Sequence, residues 1–227
     1  MPAVRGVDLR RELVSNAPTG LSPARARLRR DAVALLEAED LVEACYSYRI
    51  VPLDRPASEV LKVGGETLHA PLLLPESGEL TALGCGVCTL GPRLEARLKK
   101  LFKEKRAALA LAVDEIATEM LFALGRRIQD RMLSECYRRR LSMGGELHAG
   151  DPGLELSAQA AVLRLAEADK IGVGLHRGHL MFPLKSGSVV FGIGHDLPAV
   201  KWSRCDTCPS VAKCRFSRLS QTATASN

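Results

Sequence analysis

The sequence predicts a mixed α+β domain, and three observations predict it. Two long helical patterns fill residues 92–140, with apolar residues at helical spacing. Short apolar and β-branched runs bounded by Gly and Pro, such as Tyr46 to Val51, Leu80 to Leu90 and V-V-F at 189–191, read as strands. The 227 residues are 46% hydrophobic and 26% charged, which suits one globular domain with tails.

The elements follow in order. Met1 to Thr19 is mixed and reads as a frayed arm with a short helix over Asp8 to Val14. Ser22-Pro23 starts a helix, with Ser as N-cap and Pro at the first helical position. Leu28, Val33, Leu35 and Leu36 give it an apolar side, and it continues past Glu39-Asp40 into L-V-E-A-C-Y. It reads as a packed helical cap or an added partner-binding piece. A short helix is expected around S-E-V-L-K, a turn at Gly64-Gly65, and a strand from Glu66 broken by Pro71.

The central stretch begins with the strand Leu80 to Leu90. A helix starts at Pro92, capped by Gly91 or Thr89, with Leu94, Leu98, Leu101 and Phe102 on one face. The next helix is apolar all round from Ala107 to Val113, so its start is expected to be fully buried. It ends over Glu135 to Arg140. The glycines and Pro152 predict a loop from Ser142 to Gly153. A helix follows from Leu156 or Ser157, then strands over Gly174 to Phe182 and Ser188 to Gly192. This organisation gives an N-terminal helical segment (1–43), an α+β domain (44–200) and a Cys-rich tail (201–227).

Thirty-two Lys and Arg against 26 Asp and Glu leave a net charge of +6. Aromatic residues are only 4% and the longest basic run is Arg138-Arg139-Arg140, which argues against nucleic acid and for a face that docks an acidic partner or an anionic ligand. No apolar run is long enough for a membrane span and no signal-peptide pattern opens the chain, so a cytoplasmic protein without a membrane partner is expected.

Seven cysteines, an odd number, argue for metal or redox chemistry over a disulfide framework. Cys205 and Cys208 stand in C-x-x-C spacing and Cys214 follows, so three thiolates can converge on one metal or cluster. A fourth position is left short. Cys85 and Cys88 form a second C-x-x-C that can complete the site, or they are small buried residues of an apolar strand. Zinc and iron–sulfur both use thiolates, and spacing does not separate them. His148, His176, His179 and His195 show no metal spacing and are assigned no role.

T-L-G-P with L-K-K-L-F, L-A-V-D-E-I-A-T-E, R-x-S-x-G at Arg140 to Gly144, Gln159, I-G-V-x-L at Ile171 to Leu175 and M-F-P-L-K-S-G-S at Met181 to Ser188 occur in that order. This pattern resembles the activation domain of cobalamin-dependent methionine synthase, and more closely the small stand-alone proteins built from that domain. It spans about Ala44 to Cys214. The resemblance implies a bent, mainly antiparallel sheet flanked by long helices. It implies S-adenosylmethionine as ligand, held by Asp114 and Glu119 on the helix and by Arg140, Ser142 and Gly144 in the loop. Arg offers a forked pair to a carboxylate, and Gly admits close backbone approach. The family loop R-x-S-P-G-Y is R-L-S-M-G-G here, without the stiffening Pro and the packing aromatic.

The function implied is that of an accessory factor in reductive reactivation, not an independent catalyst. Its partners would be a methionine synthase or related corrinoid protein carrying the cobalamin, and a reductase, ferredoxin or flavodoxin. Reductive cobalamin chemistry favours iron–sulfur over zinc in the tail. The alternative is a zinc- or iron–sulfur-stapled docking or electron-transfer module of another corrinoid system that binds no S-adenosylmethionine.

Overall fold

A computed structural model describes residues 3–9 and 20–198. Four helices (α1 Pro23–Ala38, α2 Arg93–Lys103, α3 Ala107–Arg138, α4 Gln159–Leu165) accompany eight strands (β1 Cys45–Pro52, β2 Val60–Val63, β3 Glu66–His69, β4 Glu79–Thr89, β5 Ser142–Leu147, β6 Gly174–Leu175, β7 Met181–Phe182, β8 Ser186–His195). The main sheet has the order β1-β4-β8-β5 with antiparallel pairing throughout. The expected α+β class with a mainly antiparallel sheet and long helices is what the chain adopts.

The sheet separates two cores. On one face, Leu36 of α1, Leu94 and Leu101 of α2, and Val113, Ile116, Leu124, Ile128 and Met132 of α3 pack with Cys88, Leu90 and Phe191. On the other, Val162 and Leu165 of α4 and the β2–β3 hairpin pack with Leu83, Cys85, Val87 and Val190. The alternating glycines of β4 let α3 lie close to the sheet. A methyl group on Gly84 would sit 2.8 Å from Met132 Sδ, and one on Gly86 would sit 2.7 Å from Ile128 Cγ2.

Several local expectations change. Ser22 does cap α1, its hydroxyl accepting from the Arg25 N–H at 3.4 Å. That helix stops at Ala38, and Asp40 (φ 46°) turns the chain toward β1. The S-E-V-L-K segment enters strand β2, because Leu61 and Val63 alternate into the core and pair with β3. The start of α3 is buried on one side only. Leu111 is exposed where Leu109, Ala110, Ala112 and Val113 are covered by their neighbours. Phe102, at the rim of the α2 stripe, is half-exposed. The arm residues 3–9 are docked, with Val4 bridging Tyr46 and Leu9 buried. The rest of the helix expected from Asp8 lies outside the described residues.

The largest correction is β5. Glycines predict a loop from Ser142, yet Ser142–Leu147 pairs with β8 as the edge strand. The register shifts between Met143 and Glu146, so Gly144 and Gly145 lie in a bulge. Glycine is what such an irregularity tolerates, and the β-rich V-V-F run of β8 supplies the pairing edge.

Candidate functional site

The two acids expected on one ligand diverge on α3. Asp114 Oδ1 lies 2.9 Å from Lys185 Nζ, which also donates to Thr118 Oγ1 at 2.9 Å. The Thr118 hydroxyl donates to the Asp114 carbonyl, as helix spacing i, i+4 allows. Lys185 thus ties the turn before β8 to the first half of α3. Glu119, five residues on from Asp114, faces α1. Its carboxylate takes both arms of Arg29, at 2.9 and 2.6 Å, and is buried. This corrects the expectation of Glu119 as a ligand group, because its charge is neutralised inside the α1–α3 contact.

Arg140 lies at the other end of the molecule. At the helical rise, Asp114 and the C-terminus of α3 are about 36 Å apart. No small ligand spans that length, so Asp114 and Arg140 do not wall one pocket. The pairing expected from the resemblance is corrected here. Arg140 itself leaves α3 with φ 56° and is exposed, its N–H donating to the Tyr137 carbonyl. Two residues later Ser142 pairs opposite Gly194, and Gly144 sits in the bulge. Arg140, Ser142 and Gly144 therefore come together at the start of the edge strand. Among the described residues, the Arg140 guanidinium has no ion-pair partner.

Just past this strand lies His148, which the sequence reading assigned no role, within a set of polar contacts. His148 Nδ1 is 2.6 Å from the Ser188 carbonyl, which only accepts, so Nδ1 bears the hydrogen. His148 Nε2 is 3.4 Å from Glu146 Oε1. Asp151 Oδ2 accepts the His148 backbone N–H at 2.9 Å. Buried Gln159 donates to Ser188 Oγ at 2.8 Å. A polar ladder from Gln159 to Glu146 thus crosses the β8–β5 edge. The alternation E-L-H at 146–148, with Leu147 buried between two polar residues, was the available signal.

The second C-x-x-C does not form a ligand pair. Three residues apart on β4, Cys85 and Cys88 point to opposite faces of the sheet and enter different cores. Burial pushes each thiol up to about 12, so both stay protonated at neutral pH. This corrects their expected role as metal ligands. Cys205, Cys208 and Cys214 lie outside the described residues. Among the described residues, no three His, Cys, Asp or Glu side chains are grouped to hold a metal. No helix among them is long and apolar enough to cross a membrane.

Neither protein-family models nor curated protein sequences match this chain. Among solved structures, the crystal structure of the MetH reactivation domain bound to AdoHcy matches with a TM-score of 0.62. The match covers 87% of this chain and 79% of that one, at 14% identity. The two share a fold. A reactivation-domain fold accounts for the antiparallel sheet with a long helix across it, and at 14% identity the likeness is one of fold alone.

Proposed function

We propose that this chain is an accessory protein for reductive reactivation of a cobalamin-dependent methionine synthase or a related corrinoid methyltransferase. The observation that carries this reading is the fold shared with the MetH reactivation domain over 87% of the chain. That domain binds AdoHcy, the demethylated product of S-adenosylmethionine, which supports S-adenosylmethionine as the ligand here.

The ligand site would be the start of the edge strand. Arg140, exposed and without an ion pair among the described residues, would take the ligand carboxylate as a forked pair. Ser142 would add a hydroxyl, and the Gly144-Gly145 bulge would admit close backbone approach. Asp114 sits too far away to share this ligand and would act in the α3–Lys185 contact instead. S-adenosylmethionine, when bound, would supply the methyl group, and the cobalamin would be carried by the partner.

The tail cysteines Cys205, Cys208 and Cys214 would hold an iron–sulfur or zinc centre through three thiolates. In the iron–sulfur form, the tail would pass an electron from a reductase, ferredoxin or flavodoxin. A second reading keeps the docking or electron-transfer role without S-adenosylmethionine. The observation favouring it is the separation of the helix acid from the loop arginine, together with the missing Pro and Tyr in R-L-S-M-G-G.

Calorimetry with S-adenosylmethionine tests the ligand, and no heat of binding would leave only the second reading. An anaerobic cobalamin-methylation assay, using a methionine synthase lacking its last domain and a chemical reductant, tests the function. Failure of this protein to restore methylation would exclude reactivation of that enzyme.

A further inference from the structure

The β5–β8 pairing is interrupted where the proposed ligand residues stand. Met143 pairs with Ile193 and Glu146 with Phe191, so Gly144 and Gly145 lie opposite Gly192 alone. Three glycines meet there, and none has a side chain to pack and hold the extra residue in place. The shape of the bulge is therefore set by what fixes the strand on either side of it. Upstream, the Leu141 N–H donates to the Cys136 carbonyl at 2.9 Å, and Met143 packs on the helix-side core, which ties the strand to the end of α3. Downstream, Leu147 is buried in the other core, and the paired ladder ends with it at Val190.

Past Leu147 a side chain continues the hold on β8. His148 Nδ1 donates to the Ser188 carbonyl at 2.6 Å, two residues along β8 from the last pair. The His148 backbone is itself latched. Its N–H donates to Asp151 Oδ2 and its carbonyl accepts the Asp151 N–H, both at 2.9 Å. Buried Leu154 anchors that turn in the core and donates its N–H to the Asp151 carbonyl at 3.1 Å. Ser188 is fixed in turn, its hydroxyl accepting from buried Gln159 of α4 at 2.8 Å. The imidazole thus joins two segments that are each held in place, the turn after β5 and the start of β8.

We infer that His148 is a positioning residue for the ligand-binding bulge. Its bond to Ser188 fixes the downstream end of a glycine segment that cannot fix itself, so the Gly144 and Gly145 backbone is ordered before S-adenosylmethionine arrives. Ordering a segment in advance removes that cost from binding and raises affinity. His148 touches no ligand in this role and acts through the strand. The inference rests on the reading that S-adenosylmethionine binds at the bulge, and it names a residue that tunes that site. The bond can be removed with little other change. Leu and Asn have nearly the same shape, and Asn Nδ2 takes the place of His Nδ1, so Asn keeps the donor that Leu lacks.

The test uses the full chain. Amide hydrogen exchange followed by NMR on the ligand-free protein reads the bulge directly. H148L is expected to speed exchange at Gly144 and Gly145 about three- to tenfold, the scale of one hydrogen bond, while Leu83 and Val87 of β4 stay within about twofold of wild type. H148N is expected to stay within about twofold at all four amides. Affinity for S-adenosylmethionine, measured by calorimetry, should follow the same order, weaker by about three- to tenfold in H148L and within about twofold of wild type in H148N. If the leucine prevents folding, H148A, which loses the same donor, takes its place. Unchanged exchange at the bulge or equal acceleration at all four amides would overturn the proposal. So would a loss in H148N as large as in H148L, or wild-type affinity in H148L. The exchange measurement needs no ligand. Wild-type protein that binds no S-adenosylmethionine would sink the ligand reading, and the exchange rates would still decide whether His148 holds the bulge.

Discussion

Arg29 and Glu119 meet in a largely buried, two-armed ion pair that clamps α1 onto α3. Ninety residues of sequence separate them, and both oxygens of the carboxylate are taken. An acid one would assign to a ligand is thereby a packing element.

Removing Glu119 leaves the partly buried Arg29 charge uncompensated. Glu119→Ala is expected to cost about 2–3 kcal/mol of folding stability, below the scale for a fully buried charge. Arg29→Met with Glu119→Leu should recover most of that loss, because an apolar pair of similar size replaces two desolvated charges. Urea denaturation of the three proteins checks this. A loss below about 1 kcal/mol for the single variant would show that the pair is solvated.

The ligand residues proposed at the edge-strand bulge are distinct from the packing residues on α3. Arg140→Ala is expected to weaken S-adenosylmethionine binding about tenfold or more, the usual scale for a charge-assisted hydrogen bond. Asp114→Asn should leave that affinity unchanged and cost less than about 1 kcal/mol of stability, since its ion pair with Lys185 is half-exposed. Isothermal calorimetry on both variants decides the matter, and an affinity loss in Asp114→Asn would contradict the separation of the two ends.

The two buried thiols of β4 predict an alkaline limit. Folding raises Cys85 and Cys88 from an ordinary 9.0 to about 12. Their contribution to stability is complete below pH 9 and declines as pH rises toward 12, because the unfolded thiols ionise first. Tyr48, raised from 10.0 to about 12 by burial and by the Glu135 carboxylate beside it, acts in the same direction. Cys85→Ala with Cys88→Ala should flatten the fall in stability above pH 9. The same variant is expected to keep the metal content of the full chain unchanged, as measured by elemental analysis, while Cys205→Ala with Cys208→Ala lowers it.

The closeness of helix and sheet sets a further expectation. Gly86→Ala forces a methyl group into Ile128 Cγ2, with Met132 Cε at 3.1 Å beyond it. Overpacking of this kind costs about 1–3 kcal/mol. Gly125 on α3, where an added methyl group meets nothing within 4 Å, is the contrasting site. Gly125→Ala should stabilise by about 0.5–1 kcal/mol through helix propensity. Thermal melts of the two variants should therefore move in opposite directions.

Much of the fold is legible in one dimension because its signals are local. Ser22-Pro23 marks the start of α1, Pro92 immediately precedes α2, and the strand over 80–90 and both central helices follow from periodicity. The sequence by itself thus determined the α+β class, the central strand–helix–helix order and the residue types from which a ligand or metal site would be drawn.

Tertiary structure decided how those residues are used. Strand β5 exists because β8 presents an edge to it, and no local propensity of S-M-G-G-E-L announces that partner. Glu119 became a clamp because α1 brings Arg29 to it. Asp114 and Arg140 were set apart by the length of the helix that joins them, and Cys85 and Cys88 by the two-residue period of a strand. Proximity in sequence records spacing along the chain. Which side chains meet depends on the geometry of the element between them and on the partners that pack against it.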